Sequence, residues 1–339
     1  MQKVFSCNNY EVNLEALISE LESLKPKRVL IHAPDGLKHI YTCISSFLSS
    51  LYSIEVYYST SPGYGACDIP IEEAEVLDAD LIVHIGHEEY PLAEKSSWRK
   101  RVIYLPVFYM GLLDSSLKSE LTGFLYGFNA KTITVSSTIT DLYFKEEISR
   151  VLHSNGFRVL SVEKPVLGCM YSHVVALDNI VDAHVIIAGG LFHALGLALV
   201  SAKPVVAVDP YMKRVWDASS EAGRILRKRL YQLFRVKESA GSKMGLIIGA
   251  RPGQYRPRLV ESIERQALLR GYRVYKISSS YLSLERLIAI DASLNLDFYV
   301  VSSCPRLPID DLAEFHKPVL TPGEFWMLIS SSEKYVYPW

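Results

Sequence analysis

No Cys-x-x-Cys pair occurs anywhere in the chain. That absence excludes a zinc ribbon or a thioredoxin-like motif, whose sulfur groups cluster locally. An excess of charge is also missing. The 36 Lys and Arg stand against 37 Asp and Glu, giving a net charge of −1 and a pI near 6.8. Such a surface does not favour a polyanion, so no nucleic acid partner is expected. No apolar run approaches the roughly 18–20 residues needed to span a bilayer, so no membrane association is expected. Residues 1–10 carry no apolar signal-peptide core, and the expected location is cytoplasmic. The five cysteines are an odd number. A reducing compartment keeps thiols free, so a disulfide framework is not expected. If these cysteines bind metal, tertiary structure must assemble the site.

What is present describes an ordinary folded chain. Hydrophobic residues make up 49% and charged residues 22%, as in soluble globular proteins. A chain of 339 residues can bury a large core and divide into two or three domains.

The elements recur in three rounds. Leu14, Leu17, Ile18, Leu21 and Leu24 fall on one face of a helix predicted over 13–24, stopped by Pro26. Arg28-Val29-Leu30-Ile31-His32 reads as a buried strand closed by the turn Pro34-Asp35-Gly36. A helix over 37–51, a strand over 54–59, a Pro- and Gly-rich loop bearing Cys67, a short helix over 71–77 and strands over 80–85 and 102–105 complete the first third. The middle third repeats this plan. It has a helix over 113–126, a strand over 132–135, and a helix reaching 152 with Thr140 as N-cap and Gly156 at C′. A strand over 157–162, the Cys169 loop, a short helix and a strand over 184–188 follow. Gly189-Gly190-Leu191-Phe192-His193 opens another helix, and a strand over 205–208 ends at Asp209-Pro210. The last third has a basic helix over 219–234, a strand over 244–248, a helix over 258–269 and a strand over 272–277. A helix over 282–290 and strands over 298–301 and 319–320 end it.

Short echoes support the repeat. Gly156-Phe157-Arg158-Val159 and Gly271-Tyr272-Arg273-Val274 hold the same slot, as do Lys203-Pro204-Val205 and Lys317-Pro318-Val319. The pattern predicts three similar α/β domains, 1–110, 111–212 and 213–339. Each is a small, mostly parallel sheet flanked by helices, because its strands are apolar throughout.

In open parallel sheets, ligands bind beyond the carboxyl ends of the strands. Cys67 and Cys169 follow the second strand of their rounds, and Cys304 follows the third strand of its own. One such cysteine reads first as an ordinary core or loop residue. Three at such rims point to one shared group. Three thiolates and one open position suit a 4Fe–4S cluster whose fourth iron binds substrate. Cys7 and Cys43 read as ordinary buried or loop cysteines.

Other residues at strand-to-helix junctions could bind a ligand. Gly253-Gln254-Tyr255-Arg256 offers backbone N–H groups to an anion, and Arg256 could fork a carboxylate. Gly190 permits close backbone approach beside His193. His84 and His87 end the third strand of the first round and read as shaping a pocket rather than binding metal. Asp35 and Asp209, each beside proline at a strand end, could bind an ammonium or a hydroxyl, although turn chemistry also explains them.

Together, Tyr64-Gly65-Ala66-Cys67-Asp68, Val166-Leu167-Gly168-Cys169, Val301-Ser302-Ser303-Cys304-Pro305, His84-Ile85-Gly86-His87, Gly190-Leu191-Phe192-His193, Asp209-Pro210 and Gly253-Gln254-Tyr255-Arg256 resemble one family. It is that of the archaeal diphthamide biosynthesis enzymes, the 2-(3-amino-3-carboxypropyl)histidine synthases. The resemblance runs from Pro34 to Pro305. It implies a pseudo-threefold triangle of domains around a central 4Fe–4S cluster held by Cys67, Cys169 and Cys304. It implies S-adenosylmethionine as cosubstrate, cleaved by one electron from a reductant to give a 3-amino-3-carboxypropyl radical. The radical adds to C2 of a histidine of translation elongation factor two, and the enzyme is a homodimer. Gly253, Gln254, Arg256, Gly190, His193 and Asp209 are then candidate cofactor-binding residues. The missing Cys-x-x-x-Cys-x-x-Cys motif is consistent with chemistry unlike that of ordinary radical enzymes of this cosubstrate. The chain departs from the family pattern at Glu88 and across 135–140. Two other readings stay open: a quinolinate-synthase-like iron–sulfur dehydratase, and a non-catalytic three-domain partner subunit.

Overall fold

β-branched residues stiffen the chain into pleated, two-sided strands, and runs such as Val205-Val206-Ala207-Val208 are buried along their whole length. The structure, a computed structural model, describes residues 4–51, 53–91, 101–330, 332 and 334–338. It divides into two compact units. One holds Met1–Leu112, Ile139–Tyr143 and Arg251–Gln254; the other holds Leu113–Thr138, Phe144–Ala250 and Tyr255–Trp339.

The first unit begins with β1 (Val4–Cys7), β2 (Tyr10–Asn13) and α1 (Glu15–Leu24). Then come β3 (Arg28–His32), a 3₁₀ turn (Asp35–Ile40), α2 (Tyr41–Leu51), β4 (Glu55–Tyr58) and α3 (Ile71–Val76). β5 (Leu81–Ile85), β6 (Arg101–Leu105) and β7 (Val107–Tyr109) complete it. Its main sheet runs β4-β3-β5-β6, all parallel.

The second unit carries α4 (Ser115–Gly127), β8 (Thr132–Ser137), α5 (Leu142–Ser154), β9 (Arg158–Ser161), α6 (Ser172–Val175) and β10 (Ala183–Ile187). It continues with α7 (Phe192–Val200), β11 (Val205–Asp209), β12 (Arg214–Asp217), α8 (Ala218–Glu238) and β13 (Lys243–Gly249). α9 (Pro257–Leu269), β14 (Arg273–Ser279), α10 (Leu284–Leu294), β15 (Phe298–Val301), β16 (Val319–Leu320) and α11 (Pro322–Ser330) end it. Its sheets run β9-β8-β10-β11-β12 and β14-β13-β15-β16.

The repeat read from the sequence is therefore topological. In each third the first four strands of the main sheet stand in the order second, first, third, fourth. The chain moves from the first strand to one side, then crosses to the other. That switch leaves a crevice at the carboxyl ends of the first and third strands, where open α/β sheets bind ligands.

Four features depart from the sequence reading. β1, β2 and β7 form a separate antiparallel sheet, and β12 adds an antiparallel edge to the middle sheet. The helix expected over 37–51 becomes a 3₁₀ turn before α2. The expectation of free thiols fails at Cys7 and Cys43, which form a disulfide with Cα atoms 6.0 Å apart. Cys7 ends β1, and Cys43 lies on the side of α2 packed against the same core.

In the second unit a buried ion pair joins the last helix to α8. Arg229 donates from Nε to Glu324 Oε1 at 2.8 Å and from Nη1 to the Pro308 carbonyl at 2.7 Å. Glu324 also accepts from the Tyr335 hydroxyl at 2.7 Å and from Thr321 N at 2.8 Å. A buried charge persists only when paired and hydrogen-bonded in this way. The network anchors both the segment that follows Cys304 and the returning residues 335–338.

Candidate functional site

Cys67, Cys169 and Cys304 remain free thiols. Each lies where the sequence placed it: beyond β4, beyond β9 and beyond β15. Among the described residues no three His, Cys, Asp or Glu side chains form a preformed metal cage. What these residues offer a metal is soft thiolate chemistry at loop positions.

In the first unit, the Cys67 loop is packed against 251–254. A methyl group at Gly253 would stand 2.5 Å from the Cys67 Cα, so only glycine permits the approach. Arg251 is buried and donates to Glu72 at 2.8 Å, with Asp68 3.5 Å away. Asp68 Oδ2 accepts from Tyr64 N at 3.3 Å. Burial pushes the Asp68 carboxyl up to about 6, against the opposing pull of Arg251. Gln254 is buried, and its backbone N–H donates to the Arg251 carbonyl at 2.9 Å. The Tyr104 hydroxyl donates to the Ala66 carbonyl at 3.3 Å.

Three histidines line up at the carboxyl end of this sheet. His32 and His84 are register partners on β3 and β5. Their Nδ1 atoms are 2.9 Å apart, and His84 Nε2 lies 2.9 Å from His87 Nδ1. Burial holds His32 at about 4 and His84 well below the usual range. His32 was not singled out from the sequence; its signal would have been a histidine ending the strand next to the one that His84 occupies.

In the second unit, Cys169 and Cys304 have a common neighbour. The buried Tyr337 ring packs in one core with Tyr171 and Ile309. Its pKa is raised first by burial and then by the charges of Tyr171, Cys304, Tyr335 and Cys169. The Tyr171 hydroxyl donates to the Gly168 carbonyl at 3.0 Å, beside Cys169. Gly168 faces the Phe192 ring, which a methyl there would overlap at 2.0 Å. His193 follows Phe192 at the start of α7, and burial, then Arg306, lowers it to about 4. The Arg306 guanidinium stands over the Phe192 ring at 5.8 Å. Gly168, Phe192, His193 and Arg306 thus join the loops of Cys169 and Cys304.

The remaining candidates hold backbone. Arg256 donates from Nη1 to the carbonyls of Ser302 and Ser303, immediately before Cys304. Asp209 accepts from Gly190 N at 2.8 Å, Tyr211 N at 2.9 Å and Met212 N at 3.0 Å. Gly190 has φ of +74°, which glycine adopts without penalty. Arg251 and Tyr337 carried no local sequence signal, since the chain brings them in from distant positions, whereas Tyr171 and Arg306 lie two residues beyond Cys169 and Cys304.

Three mostly parallel sheets on one strand plan, with a free thiol beyond a strand end in each, define an α/β protein of repeated architecture. The chain belongs to the diphthamide synthesis protein family, whose model matches residues 33–338. A 2-(3-amino-3-carboxypropyl)histidine synthase of Pyrococcus horikoshii is 30% identical over 97% of this chain and 93% of its own. Subunit 1 of the enzyme of that name in Saccharomyces cerevisiae is 27% identical over 98% of this chain and 78% of its own. The crystal structure of Dph2 from Pyrococcus horikoshii with a 4Fe-4S cluster superposes with a TM-score of 0.80 at 28% identity. It covers 99% of this chain and 94% of that one.

Proposed function

We propose that the chain transfers the 3-amino-3-carboxypropyl group of S-adenosylmethionine to C2 of a histidine of translation elongation factor two, the first step of diphthamide biosynthesis. The observation that carries this reading is the set of three free thiols, one beyond a strand end in each repeated sheet, in a chain whose relatives bear the synthase name. Domains 1–110, 111–212 and 213–339 would form a triangle, with Cys67, Cys169 and Cys304 holding a 4Fe–4S cluster at its centre. A homodimer in the cytoplasm, served by a separate reductant, completes the reading.

Held by Cys67, Cys169 and Cys304, a 4Fe–4S cluster would supply one-electron chemistry toward the cosubstrate. The protein's own residues place the reactants. Arg256 holds the carbonyls of Ser302 and Ser303 and so fixes the Cys304 loop. Gly253 lets residues 251–254 approach Cys67. Gly253, Gln254 and Arg256 line the path for the amino-acid end of the cosubstrate. Asp209 shapes the Gly190 turn before His193 from the other junction. Tyr337 and Tyr171 pack in one core next to the Cys169 loop, whose Gly168 carbonyl accepts from the Tyr171 hydroxyl.

The test is an anaerobic reaction of reconstituted protein with dithionite and S-adenosylmethionine, with and without archaeal elongation factor two, read by mass spectrometry. Methylthioadenosine and a factor histidine heavier by one aminocarboxypropyl group are expected. Deoxyadenosine would reject the bond assignment, and an intact cluster with neither product would reject the reaction.

A further inference from the structure

The middle round carries an element that its strand plan does not need. Beyond its fourth strand, β11, the chain turns through 210–213 and returns as β12. Asp209 and Arg214 are register partners, so the turn stands past the carboxyl end of β11, on the same rim of the sheet as the Cys169 loop. The equivalent strand of the last round, β16, passes directly into α11, and that of the first, β6, runs on into β7. β12 covers the open edge of β11. A tight turn of Asn and Gly would serve that purpose. The turn present is Pro210-Tyr211-Met212-Lys213.

Its tip is apolar, exposed and clamped. Met212 is 76% exposed and Tyr211 is 38% exposed. The buried Asp209 carboxylate accepts from Tyr211 N and Met212 N in this turn and from Gly190 N in the loop after β10. One side chain therefore ties the two loops together. The Tyr211 ring lies over Gly189, where a methyl group would stand 2.9 Å from it, so glycine permits the contact. Leu191, 49% exposed, is the next residue of that loop after Gly190. Phe192 follows it and packs its ring at Gly168, beside Cys169. Cations flank the tip. Lys213 is exposed, and its ammonium stands 3.9 Å from the exposed Asp114 carboxylate, a pair of little strength. Arg214 is exposed, with its guanidinium 5.6 Å from the centre of the Trp216 ring.

Single exposed apolar residues are ordinary. Three of them on two loops clamped together at a ligand-binding rim are not explained by folding. We propose that Leu191, Tyr211 and Met212, with Lys213 and Arg214 beside them, form the docking surface for the histidine-bearing loop of the protein substrate. This rests on the proposed transferase reading. The matching loop carries apolar and acidic side chains next to its histidine. Tyrosine and methionine are enriched where proteins meet, and the methionine thioether adapts to its partner. The two cations select the acidic groups and steer their approach. The Asp209 clamp orders the surface in advance, so docking loses less entropy. A loop seated there brings its histidine to the rim of the Cys169 loop.

The experiment takes reconstituted protein under anaerobic conditions and measures three quantities. These are the Kd of archaeal elongation factor two by interferometry, the factor's KM, and methylthioadenosine release without the factor. Met212→Asp is expected to raise Kd and KM about tenfold and to leave the release unchanged. Lys213→Glu is expected to raise Kd about threefold at low salt, a difference that high salt removes. Leu269→Asp, at a residue 72% exposed on α9, is the control and is expected to change none of the three. A Met212→Asp protein equal to wild type in Kd and KM overturns the proposal, as does an equal loss in Leu269→Asp. A Met212→Asp protein that sediments as a monomer where wild type is a dimer, with Kd unchanged, overturns it in favour of a second copy of the chain. Wild type that binds the factor through Met212 but releases no methylthioadenosine would instead overturn the transferase reading and leave the docking surface standing.

Discussion

Burial holds His32 at a pKa of about 4, while the unfolded chain takes its proton near the ordinary 6.5. A base with a lowered folded value stabilises the fold above pH 6.5, and that contribution is lost as pH falls toward 4. His32 alone should therefore cost about 2 kcal/mol of stability between pH 7 and pH 5, with His84 acting in the same direction. Urea midpoints of wild type and His32→Gln at the two pH values test this by difference, because the raised Asp68 carboxyl works in the opposite direction; a variant that keeps the wild-type pH profile would mean that His32 is charged in the fold. Residues of this kind are only half legible in sequence. His84 and His87 stood out because they punctuate a strand end. His32 did not, because its importance comes from lying one strand away at the same register, across 52 residues of chain. Tyr337 and Arg251 were unreadable for a similar reason: each owes its place to contacts made across long sequence separations.

At the level of elements, periodicity found the long helices and the apolar parallel strands, because burial on both faces leaves a continuous hydrophobic run. It missed β1, β2, β7 and β12, which have three or four residues each. Two turns of alternation are too few to stand out, and β2 pairs with β7 from nearly 100 residues away. The bridge between β1 and α2 went unseen because spacing does not reveal which thiols meet. It closes a loop with a sequence separation of 36. In the chain-entropy picture this is worth about 4 kcal/mol. Reduction, or the double variant Cys7→Ser with Cys43→Ser, should lower the melting temperature by several degrees. An unchanged melting curve would show that β1 is held by packing alone.

For the whole molecule, the telling fact is that the candidate ligands come from three different sheets. A group bound only by the folded chain stabilises it by mass action, and here it would link distant parts of the sequence. Anaerobic reconstitution should raise the unfolding midpoint and add the absorbance of an iron–sulfur centre near 400 nm, about as expected for thiolate-bound clusters. Cys67→Ser, Cys169→Ser and Cys304→Ser should each reduce both effects. If any one variant kept full absorbance and the full shift, that cysteine would not be a ligand. The repeated strand plan explains why this much was visible from sequence: three copies of one topology return a loop to the same rim three times.

The disulfide has one more effect, on bookkeeping of sulfur. With Cys7 and Cys43 joined, the reactive sulfhydryls left in the non-reduced chain are Cys67, Cys169 and Cys304. Every alkylation event on such protein would then report on the proposed centre itself, and a mass spectrum of partly labelled protein would read its exposure one cysteine at a time, with no engineered background.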